Sequence, residues 1–233
     1  MLSHFNAHFP LTGIDHSWGS DTTFATSGAE GAMIWDYNRS HPVETLQWDS
    51  FDNLLTMKYN PSETSLIACS GSDCSVLLYD TRGATPVRKT IMKLKSNSMA
   101  WNPREPMMLT TANDDGNCYT FDIRKFTEVW KIHKDHSNSV MGISYSPVGR
   151  EFATGGLDRT VRIFGVKSGR SREVYHTRRM HNVLAVEYSG DGKFILSGSD
   201  DANLRIWKAH AAESLKTLLP REKTAISYRN KLK

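Results

Sequence analysis

ATSGAEGAMIWD (25–36), ACSGSDCSVLLYD (68–80), TTANDDGNCYTFD (110–122), ATGGLDRTVRIFG (153–165) and LSGSDDANLRIWK (196–208) are five versions of one phrase. Each runs from small residues through a Gly/Asp turn into an apolar strand that ends near an aromatic: Trp35, Tyr79, Phe121, Phe164 and Trp207. The intervals between these aromatics are 44, 42, 43 and 43 residues. A fixed period of this length means a repeat architecture, in which each unit buries its apolar face against the next.

Working outward, each phrase is preceded by an alternating strand, such as Val140 to Tyr145, that closes in a turn at Asn60-Pro61, Asn102-Pro103 or Ser146-Pro147. Proline suits a strand end because it cannot donate to a sheet ladder. Glycine and Asp suit the later turn because they tolerate its backbone angles and bond it locally. The period lies in the WD-repeat range of about 40–45 residues, which predicts an all-β WD40 propeller with about five blades over residues 1–208. A ring of five is arithmetically possible. Otherwise the blades are part of a larger ring, since an open array leaves exposed edges.

After Lys208 the pattern changes. Ala212, Leu215 and Leu219 stand at i, i+3 and i+7, Pro220 interrupts, and Ala225, Tyr228 and Leu232 repeat the spacing. Arg221, Lys223, Arg229, Lys231 and Lys233 are read as loading the opposite surface, so residues 209–233 are predicted to be a basic helical extension.

Six residues before the aromatic, four units carry an aspartate: Asp73, Asp115, Asp158 and Asp201. The first unit is one residue shorter and offers Glu30. In WD blades such an Asp resembles the acceptor that holds a His and a Ser/Thr against the Trp. His136 is placed to be that His in the fourth unit, and Ser197, Asp201 and Trp207 to be three of the partners in the fifth. Ser, His and Asp together can also suggest a hydrolase triad. The repeat makes them buried fasteners, because buried polar groups must be bonded, and no G-x-S-x-G elbow is present.

Charge is modest overall, at +4, but unevenly spread. From Lys167 onward there are 14 Lys/Arg against 7 Asp/Glu, leaving 15 against 18 in the first 166 residues. A polyanion is therefore expected to meet the C-terminal part. Three cysteines, Cys69, Cys74 and Cys118, form no disulfide framework and suit a reducing compartment. Neither a signal peptide nor an apolar stretch of the roughly 20 residues needed to span a bilayer is visible, so no membrane partner is expected. Cys69/Cys74 and His133/His136 have tolerable ligand spacings but fall on different blades, and no metal, cofactor or small-molecule substrate is expected. A P-loop is likewise absent.

The stretch SREVYHTRRM (171–180), followed by SGSDDANLRIWKAHAAE (197–213) and PREKTAISYRNKLK (220–233), is more particular than a generic repeat. It resembles the Sof-one-like proteins, also called WD repeat and SOF domain-containing proteins. DHSW (15–18), YNPSETSLIACSGSD (59–73), WNPREP (101–106), ANDDGNCYTFDIR (112–124) and SPVGREFATGGLDRTVRIF (146–164) agree. The resemblance implies a nucleolar, non-catalytic scaffold of the small nucleolar ribonucleoprotein that matures small-subunit ribosomal RNA. It also implies a seven-bladed ring, with early blades and a Lys/Arg-rich tail expected outside this sequence.

Two surfaces are candidates for partner binding. Tyr79-Asp80-Thr81-Arg82 and Phe121-Asp122-Ile123-Arg124 resemble the WD-x-R box offered to the adaptor of cullin-four ubiquitin ligases, with the Trp replaced. Arg fits such a role through its planar fork; the alternative is an Arg that caps its own loop. Arg170, Arg172, Arg178 and Arg179 flank Tyr175 and His176, a mixture that can pair phosphates and stack a base of precursor or small nucleolar RNA. A solvated loop with protein contacts is the other reading.

Overall fold

The computed structural model describes residues 5–29, 31–46, 53–83, 86–213 and 220–231. Five antiparallel meanders follow one another among them. Blade 1 is β1 (Leu11–His16), β2 (Thr23–Gly28), β3 (Gly31–Asp36) and β4 (Glu44–Leu46). Blade 2 is β5 (Leu54–Tyr59), β6 (Leu66–Gly71), β7 (Ser75–Asp80) and β8 (Pro86–Ile91). Blade 3 is β9 (Ser96–Trp101), β10 (Met108–Asn113), β11 (Asn117–Asp122) and β12 (Val129–Lys134), with a 3-10 turn at Ile123–Lys125. Blade 4 is β13 (Val140–Tyr145), β14 (Glu151–Gly156), β15 (Val161–Gly165) and β16 (Ser171–Tyr175). Blade 5 has three strands among the described residues, β17 (Val183–Tyr188), β18 (Phe194–Ser199) and β19 (Leu204–Lys208).

The first strand of each blade lies inside and packs on its successor: β1 on β5, β5 on β9, β9 on β13 and β13 on β17. No comparable packing joins β17 to β1 among the described residues, so the row of blades is open there. Gly142 on β13 is required by this closeness, since a Cβ would stand 3.0 Å from the Val186 amide nitrogen. The pairing of every inner strand with its neighbour contains a register shift, such as Leu11/Gly13, Leu54/Thr56, Val140/Gly142 and Val183/Ala185. Such bulges increase the local twist of a sheet.

Hydrophobic burial is divided into layers between blades. Ala68, Val76 and Leu78 of blade 2 meet Met99, Leu109 and Phe121 of blade 3. Cys118 of blade 3 meets Ile143, Phe152 and Phe164 of blade 4, and Ala153, Val161 and Ile163 of blade 4 meet Val183, Val186 and Ile195 of blade 5. The anchor aromatics Trp35, Tyr79, Phe121 and Phe164 are buried, and Trp207 is partly so. Four residues on the far face of blade 5, Leu184, Leu196, Leu204 and Ile206, are exposed.

The helical extension differs from its sequence reading. Residues 209–213 form a bend and a turn, not a helix, and α1 (Pro220–Lys231) starts at Pro220 where an interruption was expected. Proline fits the first helical position, where its missing N–H has no partner to lose. None of the helix is buried. At about 100° per residue, Arg221 falls on the same side as Ala225 and Tyr228, while Lys223, Arg229 and Lys231 spread round the axis, so there is no separate basic face. Glu30, Leu215, Leu219, Leu232 and Lys233 lie outside the described residues.

Candidate functional site

The four repeated aspartates share one job, which is local. Each accepts the amide two residues on: Ser75 N at 3.1 Å for Asp73, Asn117 N at 2.9 Å for Asp115, Thr160 N at 3.1 Å for Asp158 and Asn203 N at 3.3 Å for Asp201. The residue after each Asp is left-handed, with φ of 64° at Cys74, 79° at Gly116, 62° at Arg159 and 58° at Ala202. The aspartate therefore ties down the second hairpin of each blade.

Among the described residues, only in blade 4 does the Asp hold a histidine. His136 Nδ1 donates to Asp158 Oδ2 at 2.9 Å, and His136 Nε2 lies 2.7 Å from the fully buried Thr154 hydroxyl. Burial alone would raise the Asp158 pKa; the hydrogen bond and charge of His136, with Thr160, outweigh it and hold the pKa at about 2. In the other blades the aspartate has different partners among the described residues. Asp73 takes Ser75 and Lys89, Asp115 takes Asn117 and the Tyr119 hydroxyl, and Asp201 takes Arg205, whose hydrogen bond lowers its pKa. Trp207 Nε1 donates to Ser197 Oγ at 2.8 Å, and Trp35 Nε1 to Thr26 Oγ1 at 2.9 Å.

Blade 3 replaces the fastener with a directed chain that sequence reasoning missed. The Ser168 carbonyl can only accept, so His133 Nδ1 donates to it at 2.6 Å. Burial holds His133 neutral, with a pKa of about 4, and its Nε2 accepts from Thr120 Oγ1 at 3.0 Å. Thr120 then accepts from Thr110 at 2.9 Å, and Thr110 from the Tyr145 hydroxyl at 2.6 Å. Two asparagines also cross blade boundaries: Asn60 Nδ2 donates to Pro106 O at 2.7 Å and Asn102 Nδ2 to Gly149 O at 3.0 Å. Their side-chain oxygens accept two amides each in the following turn. The signal was the repeated Asn-Pro, read above only as a strand end.

The two D-x-R boxes occupy equivalent turns of adjacent blades, after β7 and β11. Asp80 Oδ1 accepts the Arg82 amide and Asp122 Oδ1 the Arg124 amide, both at 3.0 Å. Arg82 is exposed, and its guanidinium has no partner among the described residues. Arg124 instead forks onto Asp122, at 3.0 Å from Nε and 2.8 Å from the second nitrogen, and this holds the Asp122 pKa below its usual value. Arg88 on β8 donates to the carbonyls of Ile123 and Arg124, bracing the second box from blade 2.

The arginine cluster read between 170 and 179 is not one patch. β16 runs through its middle, and its five residues, at roughly 3.3 Å each, part Arg170 from Arg178 and Arg179 by about 16 Å. Arg170 pairs with Asp135 at 3.0 Å, and His176, Arg178 and Arg179 are exposed beyond the other end. Arg172 and Tyr175 are engaged by other parts of the chain. Arg172 pairs with Glu151 at 3.0 Å and donates to Ala209 O at 2.7 Å. The Tyr175 hydroxyl donates to Lys208 O, its ring stacks on Trp207 at 5.2 Å, and Glu173 accepts the Ala211 amide at 3.2 Å. The SREVY strand thus fastens the KAHA segment as it leaves blade 5.

A cavity of about 560 Å³ opens where the C-terminal ends of the inner strands converge. Trp18 stands there exposed, beside Asp15 and Lys58 paired at 2.8 Å, and Glu187, which accepts from Ser144 Oγ at 3.0 Å. Arg221, Lys223 and Arg229 are exposed on α1.

The family model for the WD domain, G-beta repeat matches residues 127–165 and 172–208. DDB1- and CUL4-associated factor 13 of Danio rerio is 49% identical over 222 residues, covering 95% of this chain and 49% of that protein. The Homo sapiens protein of that name is 45% identical over 222 residues, again covering 95% and 49%. Protein SOF1 of Saccharomyces cerevisiae is 41% identical over 233 residues, covering 100% of this chain and 47% of the yeast protein. The chain spans about half the length of these relatives. Its blades, its matched repeats and this likeness along nearly its whole sequence agree: the chain is a WD40-repeat chain, similar throughout to DDB1- and CUL4-associated factor 13 and to Protein SOF1.

Proposed function

We propose that the chain is a non-catalytic scaffold of the small nucleolar RNP and small-subunit processome, acting in the nucleolus in maturation of small-subunit rRNA. One observation carries this reading. Two of the segments that make the chain resemble the Sof-one-like proteins, 171–180 and 208–213, are bonded to each other through Arg172, Glu173 and Tyr175, which fixes where the chain leaves the blades. Its partners are processome proteins and, through exposed basic residues, precursor rRNA or small nucleolar RNA. The polar groups that resemble a triad, His136, Asp158 and Thr154, are spent on one another in the interior, which favours grip over chemistry. Depletion should lower mature small-subunit rRNA and accumulate its precursors; unchanged processing would remove the proposal.

A second reading is supported by the free fork of Arg82 and by the name of the DDB1- and CUL4-associated relatives: a substrate receptor bound to the adaptor of a cullin-four ligase. Pulldown of the adaptor should fall more with Arg82→Ala than with Arg124→Ala, because Arg124 already pairs with Asp122. Equal recovery from the double variant and the unaltered chain would count against it.

A further inference from the structure

A repeat protein supplies its own control, because equivalent positions face equivalent structural demands. One notch departs from that control. Between blades 3 and 4 lies a cavity of about 520 Å³ walled by Asn102, Arg104, Arg150, Gly165, Val166 and Lys167, with Glu105 at its rim. Arg104, Arg150 and Lys167 are exposed, and their side chains have no hydrogen-bond or ion-pair partner among the described residues.

Nothing in the fold asks for these cations. Lys167 sits three residues after Phe164, the place that Arg82 and Arg124 hold after Tyr79 and Phe121. In those blades Asp80 and Asp122 precede the basic residue, and Asp122 engages the guanidinium itself. In blade 4 the aspartate is replaced by Gly165, which frees Lys167 and leaves Glu105 as the one carboxylate lining the notch among the described residues. Two residues after the boundary-crossing Asn102 stands Arg104, where the turn after Asn60 has Ser62. Immediately before the second strand stands Arg150, where blade 3 has Met107. One repeat earlier, the same positions therefore read Ser62, Met107 and a paired Arg124.

The notch is also held in shape. Asn102 bonds Gly149 O across the boundary and accepts the Arg104 and Glu105 amides at 3.0 and 3.2 Å. Gly149 has φ of 71°, and a Cβ there would meet Arg104 Cβ at 2.6 Å, so only glycine lets the two turns close together. Its walls offer no aromatic ring and no exposed apolar side chain. An acidic peptide would find nothing to bury there, and a base would find nothing to stack on. A sugar–phosphate backbone needs only fixed donors and positive charge.

We propose that this notch is a sequence-independent site for the phosphate backbone of RNA, with Arg104, Arg150 and Lys167 donating hydrogen bonds to its phosphate oxygens. The proposal rests on the ribonucleoprotein reading above and names the site that would touch the RNA. It is tested with the full chain and a labelled oligouridine, read by fluorescence anisotropy across a salt series. The triple change Arg104→Ala, Arg150→Ala, Lys167→Ala should weaken binding on the order of tenfold and flatten the salt dependence by about 2 in log–log slope, as expected for three lost single-strand contacts. A triple of equal charge at the exposed Arg39, Lys93 and Lys95 should leave binding near that of the unaltered chain, and Glu105→Gln should tighten it. Thermal melts of each variant exclude unfolding as the cause. The site is overturned if the notch triple binds with unchanged affinity and slope, if the unaltered chain does not bind oligouridine, or if polyglutamate of equal charge competes as well as RNA. Failure of the ribonucleoprotein reading looks different: rRNA processing stays normal on depletion whatever oligouridine does.

Discussion

Blades 4 and 5 are built on the same phrase 43 residues apart, yet one is interior and the other is a surface. Ala153, Val161 and Ile163 are fully buried, whereas Leu196, Leu204 and Ile206, one repeat later, are 37%, 81% and 69% exposed. Their fasteners differ in the same sense. Asp158 is enclosed with His136, while Asp201 meets Arg205 near solvent. Burial in this architecture belongs to the neighbour and not to the blade, because a sheet has two faces and the repeat supplies only one of each pair.

The sharpest way to break that comparison is to cut equivalent side chains. Ile163→Ala should cost about 3–4 kcal/mol in denaturant unfolding, in the range for a truncated buried isoleucine, and Ile206→Ala less than about 1 kcal/mol. Equal losses would mean that the far face of blade 5 is packed in solution.

The next effect is electrostatic. Asp158→Ala should destabilise by about 3 kcal/mol, since it strands the buried His136 and removes the acceptor of Thr160, and Asp201→Ala far less. Acid titration sharpens this. The folded Asp158 pKa lies near 2 against 3.8 unfolded, so its contribution is complete above the unfolded value and fades as pH falls through the folded one. The unaltered chain minus Asp158→Ala should show that loss between about pH 4 and pH 2; a flat difference would argue that His136 does not sustain the carboxylate.

The smallest expected effect is a gain. Arg159 and Ala202 occupy left-handed backbone at φ of 62° and 58°. Glycine at either site should relieve about 1 kcal/mol of strain. In blade 4 the gain should appear in global unfolding, and in blade 5 as slower hydrogen exchange confined to that hairpin. A loss at Arg159→Gly would mean its side chain matters more than its backbone.

Local grammar made the architecture readable. Small residues, an Asp turn and a closing aromatic at a 43-residue beat specify strands and the layers between them, since these depend on neighbours in sequence. The turn role of the aspartates was close to legible, but their partners were not. Tyr145, Thr110, Thr120, His133 and Ser168 come from two repeats and meet only after blades 3 and 4 have packed. The arginine cluster misled for a different reason. Residues adjacent in sequence become distant when a strand runs between them, and Arg172 on β16 is engaged by Glu151 and Ala209 while Arg170, just before the strand, pairs with Asp135. The notch basics escaped notice because each belongs to a different turn.

The fastening of 208–211 onto β16 gives the tail a fixed point of origin. From Glu213 to Pro220 there are seven peptide steps, which even drawn straight cover no more than about 25 Å. The first turn of α1 is thus leashed to a sphere of that radius around the rim of blade 5. Whatever the first turn of α1 grips must therefore lie within that distance of the blades.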